Sequence, residues 1–141
     1  MTKVYLGGTW NESAWRRYLI EFLKIDYFNP VVEDWTPECM EEERRQRESC
    51  DYCLYVITPR MTGVYSIAEV VDDSNKRPEK TIFCVLPSDS GKHTRNMIYF
   101  SEGQLRSLNQ VGEMVLRNGG MYLKDLNEVA EVLNGSNQES S

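Results

Sequence analysis

Two stretches constrain the fold of this chain most, Tyr52–Ile57 (YCLYVI) and Lys80–Leu86 (KTIFCVL). Each is a nearly continuous apolar run, closed by Thr58-Pro59 in the first case and by Pro87 in the second. A strand of that kind is buried on both faces, as in a parallel sheet covered by helices. The rest of the chain supplies the helices. Val4-Tyr5-Leu6 is a short β-prone run ended by Gly7-Gly8, and Asn11 is the expected N-cap of a helix that puts Trp15, Tyr18, Leu19 and Phe22 on one face. A further extended piece lies around Tyr27-Phe28, closed by Asn29-Pro30. Thr36-Pro37 then reads as an N-cap followed by proline at the first helical position.

The helix that follows, ECMEEERRQRESC, carries Glu41/Arg45 and Glu43/Arg47 at i, i+4 spacing, and the expectation is a solvated surface helix. Another helix is expected from Tyr65 to Ser74. A third, with Leu105, Leu108, Val111, Met114 and Val115, stops at Asn118-Gly119-Gly120. Met121–Leu123 reads as a last short strand, and Leu126, Val129, Ala130 and Leu133 as one face of a final helix. Strands alternating with helices predict a single-domain α/β fold, a flavodoxin-like three-layer sandwich with a five-stranded, mostly parallel sheet. The expected domain covers 1–134, and 135–141 (GSNQESS) reads as a disordered tail. Ligands of such sheets bind at the carboxyl ends of the strands, so the loops of interest are 7–11, 58–66 and 87–97.

A formal net charge of −6 argues against a general nucleic-acid binder or a binder of anionic membranes, because both need a positive field. A few backbone donors or an arginine can still hold one phosphate. No signal peptide is apparent and no run reaches the ~18 apolar residues of a membrane span, so the expected location is cytoplasmic. Cys50-x-x-Cys53 has metal spacing but no second pair to complete a zinc site, so these thiols, with Cys84, read as buried and structural. No metal or organic cofactor is expected. His93 is the only histidine, which leaves a Ser/His or Cys/His hydrolase resting on one loop residue.

Gly7-Gly8-Thr9-Trp10 fits a tight strand-to-helix turn, or a close backbone approach to a ligand whose aromatic part meets Trp10 or Tyr5. Ser66-Ile67-Ala68-Glu69 has the S-x-x-E form of a capping box, in which Glu69 would reach back to the helix start. The alternative is that Glu69 reacts. A carboxylate in a helix's first turn, poorly hydrated among apolar neighbours, can act as nucleophile at an acetal-like carbon. Asp72 and Asp73, one turn on, would raise its pKa by like charge. Asp51 precedes YCLYVI and so stands by position at the strand's beginning, away from the ligand edge.

VYLGGTW (4–10), CDYCLYVITPRMTGVYSIAEVV (50–71) and KTIFCVLPSD (80–89), in this order, resemble the nucleoside 2-deoxyribosyltransferase family and its nucleoside-monophosphate N-glycosidase relatives. The resemblance implies that Glu69 is the nucleophile at the anomeric carbon, with Tyr5 near it and Asp51 contributing to base protonation. It further implies a pocket lined by Gly8, Trp10, Gly63 and Ser66. Asn96 and Met97 resemble the segment that completes a neighbouring subunit's site, so a homodimer or higher homo-oligomer is expected. The implied substrates are a 2′-deoxynucleoside or deoxynucleotide and a free base, and no cofactor is implied. The chain departs from the family at Gly63, where an aspartate is usual, and at Val70–Asp73. The departure at Gly63 favours the alternative of a nucleotide-binding sensor or sequestering protein without turnover.

Overall fold

A computed structural model describes residues 1–10, 13–93 and 96–135. The principal strands are β1 (Lys3–Gly8), β2 (Asp26–Phe28), β3 (Tyr52–Ile57) and β4 (Thr81–Val85). The short β5 (Ser88–Asp89) and β6 (Ile98–Tyr99) follow, and β7 (Met121–Leu123) comes last. Between and after them lie α1 (Trp15–Ile20), α2 (Pro37–Ser49), α3 (Tyr65–Lys76), α4 (Glu102–Arg117) and α5 (Leu126–Gly135). The main sheet has five strands in the order β2-β1-β3-β4-β7, all parallel, which is the flavodoxin-like arrangement. β5 and β6 form a separate antiparallel pair within the excursion that follows β4.

Strand parity divides the core into two layers. Val4, Leu6, Leu54, Val56, Ile82 and Cys84 face one side and pack with Trp15 and Leu19 of α1 and Val129 and Leu133 of α5. Tyr5, Cys53, Tyr55, Ile57, Phe83 and Val85 face the other, where Val70 of α3 and Leu108 and Val115 of α4 cover them. Both parities are apolar because both faces are buried, and each fully buried large side chain contributes roughly 1.5–3 kcal/mol. Cys53 and Cys84 lie within these layers, and burial pushes each thiol up to about 12, so they remain protonated.

Helix boundaries follow local chemistry where caps are present. Thr36 caps α2, its hydroxyl accepting from the Cys39 amide, with Pro37 at the first helical position. Ser101 and Gln104 close a full capping box at α4, and Gly119, at φ 103°, ends that helix. α1 departs from expectation. It has only 6 residues, too few to carry Phe22, and its buried set is Trp15, Arg16 and Leu19. Tyr18 and Phe22 are half exposed and lean on each other with ring centroids 5.3 Å apart. Asn11, expected to cap this helix, lies outside the described residues, as do 136–141 of the expected tail, whereas Gly135 ends α5. Among the described residues no helix is long and apolar enough to cross a membrane.

The chain steps outward from β1 to β2, then returns past β1 to β3, so the sheet's switch point falls between β1 and β3. In sheets of this kind the ligand crevice lies outside the carboxyl ends of the strands at that point. Gly8 makes the close approach possible. A Cβ on it would lie 2.1 Å from the Val56 carbonyl oxygen, and its φ of 115° disfavours any L side chain. The Thr9 amide then bonds Val56 O at 2.9 Å, and the Thr9 hydroxyl accepts from the Thr58 amide at 2.9 Å.

Candidate active site

Glu69 lies on α3, at the mouth of this crevice. The helix begins at Tyr65, with Val64 in the N-cap position and no side-chain cap, and the Ile67 amide already bonds Val64 O at 3.0 Å. Ser66 is therefore inside the helix, and the capping box expected at 66–69 does not form. Helical geometry commits the Glu69 amide to the backbone ladder, which leaves its carboxylate in the second turn with no end to cap.

That carboxylate instead lines a cleft of about 350 Å³, together with Trp10, Trp35, Met40, Glu43 and Arg47. Its side chain is 15% exposed, and Arg47 Nη1 lies 3.4 Å from Oε2. Burial pushes the Glu69 pKa up to about 7. Arg47 opposes the rise, and the like charges of Glu43, Asp73 and Asp72 add to it. The expected ionising influence of a first helical turn is absent because the residue sits one turn too deep. Glu43, across the cleft, is also raised, chiefly by burial, with a Trp35 hydrogen bond and the charges of Arg47 and Arg16 acting against the rise.

Arg47 is held from below. Its Nη2 donates to Asp73 Oδ1 at 2.8 Å and to Asp72 Oδ2 at 3.3 Å, and its Nε donates to Asp73 Oδ2 at 3.3 Å. Asp73 is fully buried and also accepts from Arg77 Nε at 3.0 Å and from the Tyr55 hydroxyl. A buried carboxylate is tolerable only when paired and hydrogen-bonded, and this one has donors from α2, β3 and the end of α3. Burial alone would lower the Arg47 pKa, but the Asp73 hydrogen bond and the charges around it hold it above its ordinary value.

The i, i+4 pairs expected on α2 are not among the ion pairs of the described residues. Arg44 pairs with Glu41 and Arg45 with Glu42, both at i, i+3, while Arg47 turns inward. Met40, Glu43, Arg44 and Arg47 recur at i, i+3, i+4, i+7 and line the cleft together. That spacing was the available signal, masked because three of the four residues are charged.

The other expected residues separate into groups. Trp10 lines the Glu69 cleft and also an adjoining one of about 260 Å³, where Gly8, Gly63 and Ser66 contribute. A Cβ on Gly63 would meet nothing within 4 Å. Tyr5 is buried at 2% exposure beneath the site, stacked on Phe28 at 5.9 Å and tilted against Tyr55 at 6.0 Å. Burial and the charges of Glu69 and Glu43 raise its phenol far above the ordinary range, so it stays protonated. Asp51 stands at the opposite edge of the sheet, where its carboxylate accepts from the Lys3 amide at 2.8 Å. It lines a groove with Thr2, Ser49, Glu79 and Lys80, remote from Glu69 in the topology. Asn96 and Met97 lie in the excursion between β5 and β6. Neither lines the Glu69 cleft, and the Asn96 carbonyl accepts from Arg60 Nη2 at 3.1 Å.

A larger cavity of about 610 Å³ lies beside β4, β7 and α4, lined by Val85, Leu105, Arg106, Tyr122 and Lys124. It lacks paired carboxylates, so the reactive chemistry points to the Glu69 cleft.

The family profile described as nucleoside 2-deoxyribosyltransferase-like matches residues 1–88. The chain belongs to the nucleoside 2-deoxyribosyltransferase-like family. The matched span of this deoxyribosyltransferase-like chain contains β1, α2, β3, α3 and β4, hence Glu69, Glu43 and Arg47, but stops before Asn96 and Met97. No curated protein and no solved structure matches the chain.

Proposed function

We propose that the protein cleaves or exchanges the N-glycosidic bond of a 2′-deoxynucleoside or its monophosphate. The observation that carries this reading is the pairing, in one aromatic-walled cleft, of Glu69 and Glu43, two carboxylates with raised pKa values. In this scheme Glu69 acts as the anion, which Arg47 Nη1 at 3.4 Å favours, and Glu43, raised by burial, is the proton donor. Glu69 then attacks C1′. The C1′–N bond breaks as the C1′–O bond forms, and the electron pair leaves on the base, which takes the Glu43 proton. Water or a second base attacks C1′ in turn, returns its proton to Glu43 and frees Glu69, with net retention. Trp10 and Trp35 supply faces on which a base stacks. Asp51 has no place in this scheme, since it sits at the other edge of the sheet.

The test is intact-mass spectrometry after incubation with deoxyinosine plus adenine, and separately with deoxynucleoside monophosphates. A deoxyribosyl adduct that disappears in Glu69→Gln is expected, with turnover reduced on the order of 10⁴-fold. The open space at Gly63, where the family has an aspartate, favours a second reading: a nucleotide-binding protein without turnover. Tight binding with neither adduct nor product would establish that reading.

A further inference from the structure

The two carboxylates of the cleft are held by donors of different kinds. Glu69 meets a permanent cation, Arg47 Nη1 at 3.4 Å. Among the described residues no ion pair involves Glu43. Its hydrogen-bond partner is the side chain of Trp35, whose indole N–H is a donor only and carries no charge. Trp35 also lines the cleft, 48% exposed, on the loop between β2 and α2.

The start of α2 explains how a residue outside the helix meets one in its middle. Thr36 is the N-cap, extended at φ −130° and ψ 165°, and Pro37 follows at the first helical position, so the backbone next to Trp35 is fixed. Thr36, Met40, Glu43 and Arg47 then recur at helical spacing and share one face of α2. Glu43 lies two turns beyond the cap, roughly 10 Å along the axis, and the indole bridges that span from the loop side.

A charged donor would favour Glu43 as the anion, as Arg47 favours it at Glu69. A neutral donor acts differently. A protonated carboxyl keeps one oxygen that only accepts, and an indole N–H can occupy that oxygen whether or not the proton is present. The acid is then oriented without being forced to ionise.

We propose that Trp35 is a positioning residue, its indole N–H holding one oxygen of Glu43 so that the other presents its proton to the departing base. The role rests on the glycosidic reading and is separate from the stacking face that the same ring offers. The other groups acting on Glu43 are Glu69 from α3, Tyr5 from β1, Arg16 from α1 and Arg47 from α2 itself. All four are unaltered in Trp35→Phe, which keeps an aromatic face and loses the N–H.

That variant changes a half-exposed side chain, and a melting curve reports that the fold is intact. The first readout needs no turnover: a carbon-13 NMR titration of the glutamate carboxyls, with Glu43 assigned through Glu43→Gln. The lost donor favoured the anion, so the Glu43 titration is expected to move up by about half to one pH unit. The second compares 2′-deoxyinosine, or its monophosphate, with the 7-methyl derivative of the same compound. The methylated base is already cationic and departs neutral, with no proton from Glu43. In Trp35→Phe, kcat on the unmethylated substrate is expected to fall about tenfold, with KM changed less than about threefold and the basic limb of the pH–rate profile moved upward. On the methylated substrate the loss is expected to stay below about threefold. A Glu43 titration that stays in place or moves down overturns the positioning role, as does an equal loss on both substrates, while turnover by wild-type protein leaves the glycosidic reading standing. Wild-type protein that turns over none of these compounds removes the reaction, and this role with it.

Discussion

Replacing Arg47 with methionine removes the cation from the site while keeping most of the side chain's volume. Asp73, fully buried, would be left with Arg77 and Tyr55 as donors, and Glu69 would lose the guanidinium 3.4 Å away. Removing one partner of a buried charge pair costs roughly 3–5 kcal/mol. In a domain of this size that is a fall in Tm of about 10–20 °C. The second effect is electrostatic. A charge-assisted contact is worth about 1.5–3 kcal/mol, and each pH unit corresponds to about 1.4 kcal/mol, so the Glu69 titration should move up by roughly 1–2 pH units. Two measurements check this: thermal unfolding by circular dichroism, and the acidic limb of the pH–rate profile for base release. Arg47→Met/Asp73→Asn separates the effects, because removing both charges should recover part of the stability while the acidic limb, relieved of Asp73's like charge but still without Arg47, returns only in part. An acidic limb that stays in place or moves downward, or a Tm unchanged within about 3 °C, would refute the placement of Arg47 as the counter-charge of Glu69.

Three further outcomes follow from the geometry. Glu43→Gln should slow base release by about 10²–10⁴-fold, whereas Asp51→Asn should change it less than about threefold in the same steady-state assay. For Glu69 the folded pKa of about 7 lies above the ordinary 4.5, so the native state binds the extra proton between those values. The stability it contributes is fully present below about pH 4.5 and lost as pH rises through about 7. Glu69→Gln should therefore be more stable than wild type at pH 8 by about 2–3 kcal/mol in urea unfolding, and the difference should shrink below pH 5. Gly8→Ala should cost at least about 2–3 kcal/mol by the same method, since its Cβ would meet Val56 O and its φ is positive.

The sheet was legible because its signals are local and redundant. Tyr52–Ile57 and Thr81–Val85 are apolar at both parities, and Pro37 and Gly119 punctuate their helices. The site was only partly legible. Glu69 and Trp10 stand out by type and position. Arg47 did not, because its decisive partner is Asp73, 26 residues away, and a buried long-range pair leaves no mark on the local i, i+4 pattern. Of the S-x-x-[EQ] patterns at Ser66 and at Ser101, only the second closes a box. Ser101 is extended at φ −71°, ψ 165°, whereas the backbone at Val64 is already helical at φ −110°, ψ 0°. The backbone path into the helix, set by the preceding loop, decided between two motifs of the same form. Asp51 shows the reverse case, where strand position placed the residue correctly and the resemblance did not.

The Asp73 hub has a practical consequence for altering this protein. By tying α2 to β3 and to the end of α3, it anchors the reactive end of the cleft independently of the cleft's outer wall. Met40 and Arg44 lie on the same face of α2 as Arg47 but are exposed and take no part in the hub. They are the natural positions for a library aimed at new base preferences. Selection there can reshape what the cleft admits while Glu69 keeps its position.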